Sequence, residues 1–130
     1  MIRGLGLDLV DLAGFRGQLA QPGTTFVEGA FTEAERREAE ARPDHDPARH
    51  LAARYAAKEA FLKAWSGAAF GRTPVLVGVD LREIEVVSDG YGRPALRLHG
   101  RLRELVGEVA VHVSLSHDGG VAGAVVVLEG

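Results

Sequence analysis

"RYAAKEAFLKAW", residues 54–65, sets four charges into a run of small and aromatic apolar side chains. Projected as a helix at about 100° per residue, residues 51–65 run around the axis as Leu51, Leu62, Tyr55, Glu59, Ala52 and Lys63. A broad alanine face follows, then Phe61, Arg54, Trp65 and Lys58. A helix apolar nearly all round is a buried one, packed in its own core or against another subunit. The charges fall in two narrow arcs, Glu59 with Lys63 and Arg54 with Lys58. Glu59 and Lys63 have the spacing of an i,i+4 ion pair, worth about 0.2–0.5 kcal/mol on a solvated face. Little polar face exists here to carry that pair, and a buried charge needs a partner or a ligand.

Outward from this stretch, the helix runs from about Pro47 to Ser66, with Pro47 and Ala48 in its first turn and Gly67 just past its end. Upstream, "IRGLGLDLV" is a strand with Leu5, Leu7 and Leu9 on one face and Gly4, Gly6, Asp8 and Val10 on the other. A short helix follows from Asp11 to Gln18 and ends before the turn "QPGT". "TEAERREAEAR" is a second helix, capped by Thr32 and stopped before Pro43. Downstream of a loop at "FGRTP", Val79–Val87 alternates as a strand, "SDGYGRP" turns into the strand "ALRLH", and "GRLRELVGE" is a short helix. "VAVHVSLSHDGGVAGAVVVLE" closes the chain as a hairpin around "DGG". The expected fold is α+β: a largely antiparallel sheet packed with one long and several short helices.

The bulk numbers fit one globular domain over residues 1–130, with 46% hydrophobic and 25% charged residues. A net charge of -3 gives no support to a general nucleic-acid binder, so any basic site is local. The absence of cysteine removes disulfides, thiolate metal sites and cysteine nucleophiles. No run is long enough for a membrane span, and "MIRGLGLDLVDL" lacks the features of a signal peptide, so a soluble cytoplasmic protein is expected.

Asp8 is the one charge inside the first strand, and its neighbours on the same face are glycines. Glycine in a strand often marks the close approach of a ligand. Asp8 on the strand and Glu59 on the helix would together suit Mg²⁺, which typically binds one or two carboxylates, waters and substrate phosphates. Lysine and arginine on the same helix would suit those phosphates. In "SLSHD", Ser114 and Ser116 face one way, and His117 with Asp118 enters the turn. A serine–histidine–aspartate triad is set aside, because adjacent strand residues point to opposite faces and no nucleophile elbow is present. The histidines lack the spacing of a zinc site.

Three motifs in order, "GLGLDLVDL", "RYAAKEAFLKAW" and "VSLSHDGGVAGAVVVLE", resemble the holo-[acyl-carrier-protein] synthases, the short class of 4′-phosphopantetheinyl transferases. "KAWSGAAFGRTPVL" and "GRPALRL" are similar to the actinobacterial branch of that family. The resemblance implies transfer of the 4′-phosphopantetheine arm of coenzyme A to a serine of apo acyl carrier protein. Adenosine 3′,5′-bisphosphate is released, and the product serves fatty-acid biosynthesis. It further implies Asp8 and Glu59 as Mg²⁺ ligands and Lys63 at the pyrophosphate. Arg54 and Lys58 fall at the coenzyme A site, Gly67 at the phosphates, and Arg93, Pro94, Ser116 and His117 at the adenine end. Short members of the family are similar in forming homotrimers with active sites between subunits, which would account for the apolar circumference of the helix. Either Glu59 or a metal-bound water would take the serine proton.

Two departures stand out. The helix after the first strand, arginine-rich in several members, offers only Arg16, leaving Phe15 and Leu19, or Arg36 and Arg37, as candidates for docking the carrier. The family's G-T-G after the lysine helix is "SGA" here. Two other readings share part of the pattern: a Mg²⁺-dependent hydrolase of a nucleotide diphosphate bond, and a non-catalytic trimeric binding module.

Overall fold

Packing begins with α4, Pro47–Ala68, which crosses one face of a three-stranded antiparallel sheet. The computed structural model describes residues 1–74 and 78–130; Val75 and Leu76, which end one of the stretches quoted above, lie outside them. The sheet has the order β1 (Ile2–Asp11), β5 (Val121–Glu129), β4 (Ala110–Asp118). A two-stranded antiparallel ribbon, β2 (Ile84–Ser88) with β3 (Pro94–Leu98), lies beside it. Short helices α1 (Leu12–Leu19), α2 (Phe26–Ala30), α3 (Glu33–Glu40) and α5 (Gly100–Val106) close the ends. The expected α+β class holds.

Local chemistry explains most boundaries. Asp11 ends β1 and caps α1 by accepting from the Gly14 amide at 2.9 Å. Thr32 and Glu35 form a capping box on α3. Asp46 accepts from the Arg49 amide, and Pro47 stands in the first turn of α4. Gly67 lies inside α4, not beyond it, since the helix runs one residue further, to Ala68. The strand expected over Val79–Val87 is shorter. Asp80 accepts from the Arg82 amide at 3.0 Å and winds Leu81–Glu83 into a 3₁₀ turn, so pairing starts only at Ile84. The helix α2 was not anticipated.

The core has two parts. Ala56, Ala57, Ala60, Phe61 and Ala64 of α4 meet Ala124, Val126 and Leu128 of β5, Ile84 and Val86 of β2, and Leu102 and Val106 of α5. Leu51, Ala52 and Ala53, one turn earlier, meet Leu12, Phe15, Ala30, Phe31 and Ala39. The chain's own sheet, ribbon and short helices therefore cover most of α4, leaving Lys63, Ser66 and Gly67 exposed. These contacts within one chain account for much of its apolar circumference.

Candidate active site

The alanines of α4 let the helix ride close on β1, and the glycines of β1 complete the approach. A Cβ on Gly6 would stand 1.8 Å from the Ala60 carbonyl oxygen, and one on Gly4 2.2 Å from that of Ala64. The glycines thus clear space for the α4 backbone rather than for a ligand, which corrects the reading from sequence. Asp8 is the next residue on that face, at the seam between strand and helix, with its side chain 16% exposed.

Lys63 reaches across this seam. Its ammonium donates to Asp8 Oδ1 and to the Leu7 carbonyl, both at 3.0 Å. Among the described residues Lys63 is thus paired across helix and strand, with no i,i+4 pair to Glu59 along the helix. Strand geometry explains it: the Leu7 carbonyl and the Asp8 carboxylate together offer two acceptors, and Lys63 is exposed, not buried. Glu59 lies one turn back and faces the Tyr55 phenol. Burial raises the Tyr55 pKa first, then the charge and hydrogen bond of Glu59, then Asp8. Tyr55 thus feels the charge of both carboxylates, Glu59 more than Asp8. Its ring is held by Phe15 and Phe26 at centroid distances of 5.8 and 5.4 Å.

The other arc of α4 charges behaves differently. Lys58 is fully buried, donating to Glu35 Oε1 at 2.8 Å and to the Leu81 carbonyl at 2.9 Å, with its ammonium 5.3 Å from the Phe31 ring centre. Burial lowers its pKa, and Glu35 works against that shift. Lys58 is therefore spent inside the protein and is not offered to a donor substrate, a correction to its expected place at the coenzyme A site. Arg54 is partly accessible, with Glu38 3.8 Å away. Burial lowers its pKa, opposed by Glu38.

The remaining candidates stand apart from Asp8, Glu59 and Lys63 within one chain. Arg93 is tied to Asp89 at 2.6 Å and lies 5.1 Å from the Tyr91 ring at the tip of the β2–β3 ribbon, with Pro94 next to it. Ser116 and His117 are exposed on β4, separated from Leu9 and Val10 of β1 by the intervening β5 strand. That is two strand spacings, roughly 10 Å. Gly67 is exposed on α4, one turn past Lys63.

The family model of the 4′-phosphopantetheinyl transferase superfamily matches residues 4–126. This chain belongs to that superfamily. The holo-[acyl-carrier-protein] synthase of Mycobacterium bovis is 52% identical over 128 residues, covering 98% of this chain and 97% of that protein. The fold superposes on the Chronobacterium ammoniagenes ACPS–CoA complex with a TM-score of 0.89 at 46% identity, covering 96% of this chain and 95% of the other. The acyl carrier protein synthase of Mycobacterium tuberculosis gives a TM-score of 0.80 at 45% identity, covering 99% and 98%. The actinobacterial resemblance read from the sequence is upheld by these relatives.

Within this superfamily the carrier-docking candidates narrow. Phe15 is buried, so it has no surface to offer. Arg16 holds Asp46 through two hydrogen bonds of 2.9 and 2.8 Å and keeps that carboxyl at about 2. Arg37 is exposed but pairs with Glu33 along α3. Reading the sequence alone missed Tyr55 and Glu35. Tyr55 precedes Glu59 by one helical turn, and Glu35 completes a T-x-x-E capping box; either spacing was a usable signal.

Proposed function

We infer that this transferase moves the 4′-phosphopantetheine group of coenzyme A to a serine of apo acyl carrier protein, releasing adenosine 3′,5′-bisphosphate and supporting fatty-acid biosynthesis. The observation that carries the reading is the Lys63–Asp8 contact between α4 and β1, with Glu59 one turn before Lys63 on the same helix, in a chain matched over 98% of its length by a holo-[acyl-carrier-protein] synthase. We further propose one catalytic domain over residues 1–130, acting in the cytoplasm. No helix among the described residues is long and apolar enough to cross a membrane.

The donor set suits a hard divalent cation. Asp8 Oδ1 and the Leu7 carbonyl already accept from one cation, the Lys63 ammonium, and Glu59 stands one turn before that lysine on α4. No group of three or more histidine, aspartate or glutamate side chains assembles among the described residues, and Mg²⁺ needs none, since waters and substrate phosphates complete its shell. Asp8 and Glu59 would hold it, and bound there it would neutralise charge on the pyrophosphate. The serine oxygen forms its bond to the β-phosphorus while the bond from that phosphorus to the bridging oxygen breaks, and the leaving bisphosphate takes the electron pair. Lys63 meets the charge that develops on the pyrophosphate. Glu59, directly or through a water, accepts the serine proton. Arg54 and Gly67 would contact the donor's phosphates.

For the donor's adenine end we propose Arg93, Pro94, Ser116 and His117 of a neighbouring subunit in a homotrimer. What supports this is the outer face of the sheet. Leu5, Leu7 and Leu9 are 64%, 60% and 67% exposed, and Val127, Val125 and Gly123 flank them in register. Contiguous apolar surface of that kind marks an interface.

The test is to incubate the protein with coenzyme A, Mg²⁺ and apo carrier and then weigh the carrier. The expected result is a carrier heavier by one phosphopantetheine, lost in Asp8→Ala and Glu59→Ala variants that keep wild-type circular dichroism. Cleavage of coenzyme A with an unmodified carrier would replace this reading with hydrolysis. Wild-type turnover in either variant would remove the metal-ligand assignment.

A further inference from the structure

Asp8 is fixed and Lys63 is not. The carboxylate sits on a strand in register with β5, and its side chain is only 16% exposed. The ammonium that bonds it ends a flexible four-carbon stem with 57% of the side chain exposed. The two oxygens that hold the ammonium, Asp8 Oδ1 and the Leu7 carbonyl, are the hard donors a divalent cation would seek at this place. One carboxylate oxygen flanked by a carbonyl does not hold both an ammonium and a divalent cation at contact distance without strong repulsion.

We propose that Lys63 is the resident counter-ion of Asp8 and competes with the divalent cation for it, so that metal loading frees Lys63 for the donor's pyrophosphate. The idea rests on the reading above that Asp8 is a metal ligand. It adds a coupling. The cation displaces the ammonium from Asp8, and the incoming pyrophosphate gives the ammonium a new anion. Each ligand therefore removes part of the cost of binding the other, and by linkage the two binding steps favour each other equally. A lysine that merely awaited substrate would leave the metal's affinity alone. Here it sets that affinity, and coenzyme A relieves it.

The experiment measures Mn²⁺ binding by the loss of its free-ion EPR signal, with and without coenzyme A, at 0.05 and 0.5 M KCl as ~physiological-bracketing ionic strengths. Wild type is compared with Lys63→Met, Lys63→Arg and Asp8→Asn. The three substitutions lie where β1 meets α4, and circular dichroism checks the fold of each variant. Without coenzyme A, Lys63→Met is expected to bind Mn²⁺ about three- to tenfold more tightly than wild type, the worth of a half-exposed charged hydrogen bond. Lys63→Arg, which keeps the charge and the contact, is expected to bind no more tightly than wild type. Coenzyme A is expected to tighten Mn²⁺ in wild type by more than in Lys63→Met. A gain in Lys63→Met that disappears at 0.5 M KCl reflects only a long-range field and overturns the proposal, as does equal affinity in the two proteins. If Asp8→Asn binds Mn²⁺ as wild type does, the metal assignment falls and takes the proposal with it. If Asp8→Asn loses binding while Lys63→Met is unchanged, the competition alone falls.

Discussion

At residues 6 and 8 the same strand face answers to two demands. Gly6 admits the helix, and Asp8 meets the ammonium of Lys63 from that helix. A methyl at Gly6 meets main-chain atoms, with the Ala60 carbonyl oxygen at 1.8 Å and the Ala64 amide nitrogen at 2.8 Å, so no side-chain rotation relieves it. Gly6→Ala is therefore expected to push β1 off α4 and to destabilise by about 1–3 kcal/mol or more, as overpacking of a tight core does. Gly17, on the exposed side of α1, has nothing within 4 Å of the same methyl. Gly17→Ala is expected to stabilise by about 0.5–1 kcal/mol through helix propensity alone. Chemical denaturation of the two variants beside wild type measures both signs at once. If Gly6→Ala unfolds at the wild-type midpoint, the contact between strand and helix is looser than described.

At the scale of elements, Glu35 ties three of them together. Its Oε1 accepts from Lys58 Nζ and from the Thr32 amide, both at 2.8 Å, and its Oε2 accepts from the Val86 amide at 2.9 Å. α3, α4 and β2 thus share one buried carboxylate, 2% exposed. Removing the lysine leaves that charge buried without its counter-ion, a loss of about 3–5 kcal/mol in such pairs. Lys58→Met is accordingly expected to lower the urea midpoint sharply, and Lys58→Met with Glu35→Gln to recover part of it. A stable Lys58→Met protein with weakened coenzyme A binding would return Lys58 to the donor site.

His50, in the first turns of α4, supplies a pH dependence. Burial, then the charge of Arg54, lowers its pKa to about 4, and its Nε2 is buried without a partner among the described residues. The unfolded chain binds this proton from its ordinary value of 6.5 downward, whereas the folded chain resists until about 4. Stability is full above the ordinary value and falls as pH drops through that window, by at most about 1.4 kcal/mol per pH unit. His50→Leu is expected to flatten this fall when denaturation midpoints are followed across the window. An unchanged slope would assign the fall to other groups.

The same elements mark what a sequence discloses. The order and type of the long helix, the first strand, the capped helix and the final hairpin were legible, because each rests on local signals: Pro47, the glycines at 4 and 6, Thr32, and "DGG". Asp8, Glu59 and Lys63 were legible as charges out of place. What was not legible depended on what packs where. A helical projection places Lys58 and Lys63 on arcs but cannot say that one arc meets Glu35 and the other meets solvent. The period-two pattern of Val79–Val87 likewise hid an Asp80 side chain that bonds its own backbone neighbour and delays the strand. The glycines of β1 signalled close approach correctly, but what approaches is the chain's own helix.

At the scale of the molecule, the outward sheet face carries a consequence for catalysis. Rows in register across it run Leu5–Val127–His112, Leu7–Val125–Ser114 and Leu9–Gly123–Ser116, apolar at the β1 edge and polar at β4. A two-fold contact of like edges would bury leucine on leucine and close at two copies, so the homotrimer proposed above uses the other mode. A heterologous contact, repeated around a closed ring, seats the leucine edge of one copy on another part of the next. On this reading each site takes Asp8, Glu59 and Lys63 from one subunit and His117 from its neighbour. Leu7→Lys is then expected to yield monomers by sedimentation and to lose turnover, because a charge replaces a leucine at the centre of the patch. Subunit mixing tests the shared site more directly. Glu59→Ala and His117→Ala proteins are each expected to be impaired as pure assemblies. Unfolded and refolded together in equal amounts, they regenerate intact sites wherever a His117→Ala subunit supplies Glu59 and a Glu59→Ala subunit supplies His117. Random assembly then restores roughly a quarter of wild-type activity, one site in four having both halves intact. Activity that stays at the average of the two pure variants would mean that each chain completes its own site, and the sheet face would then have some other partner.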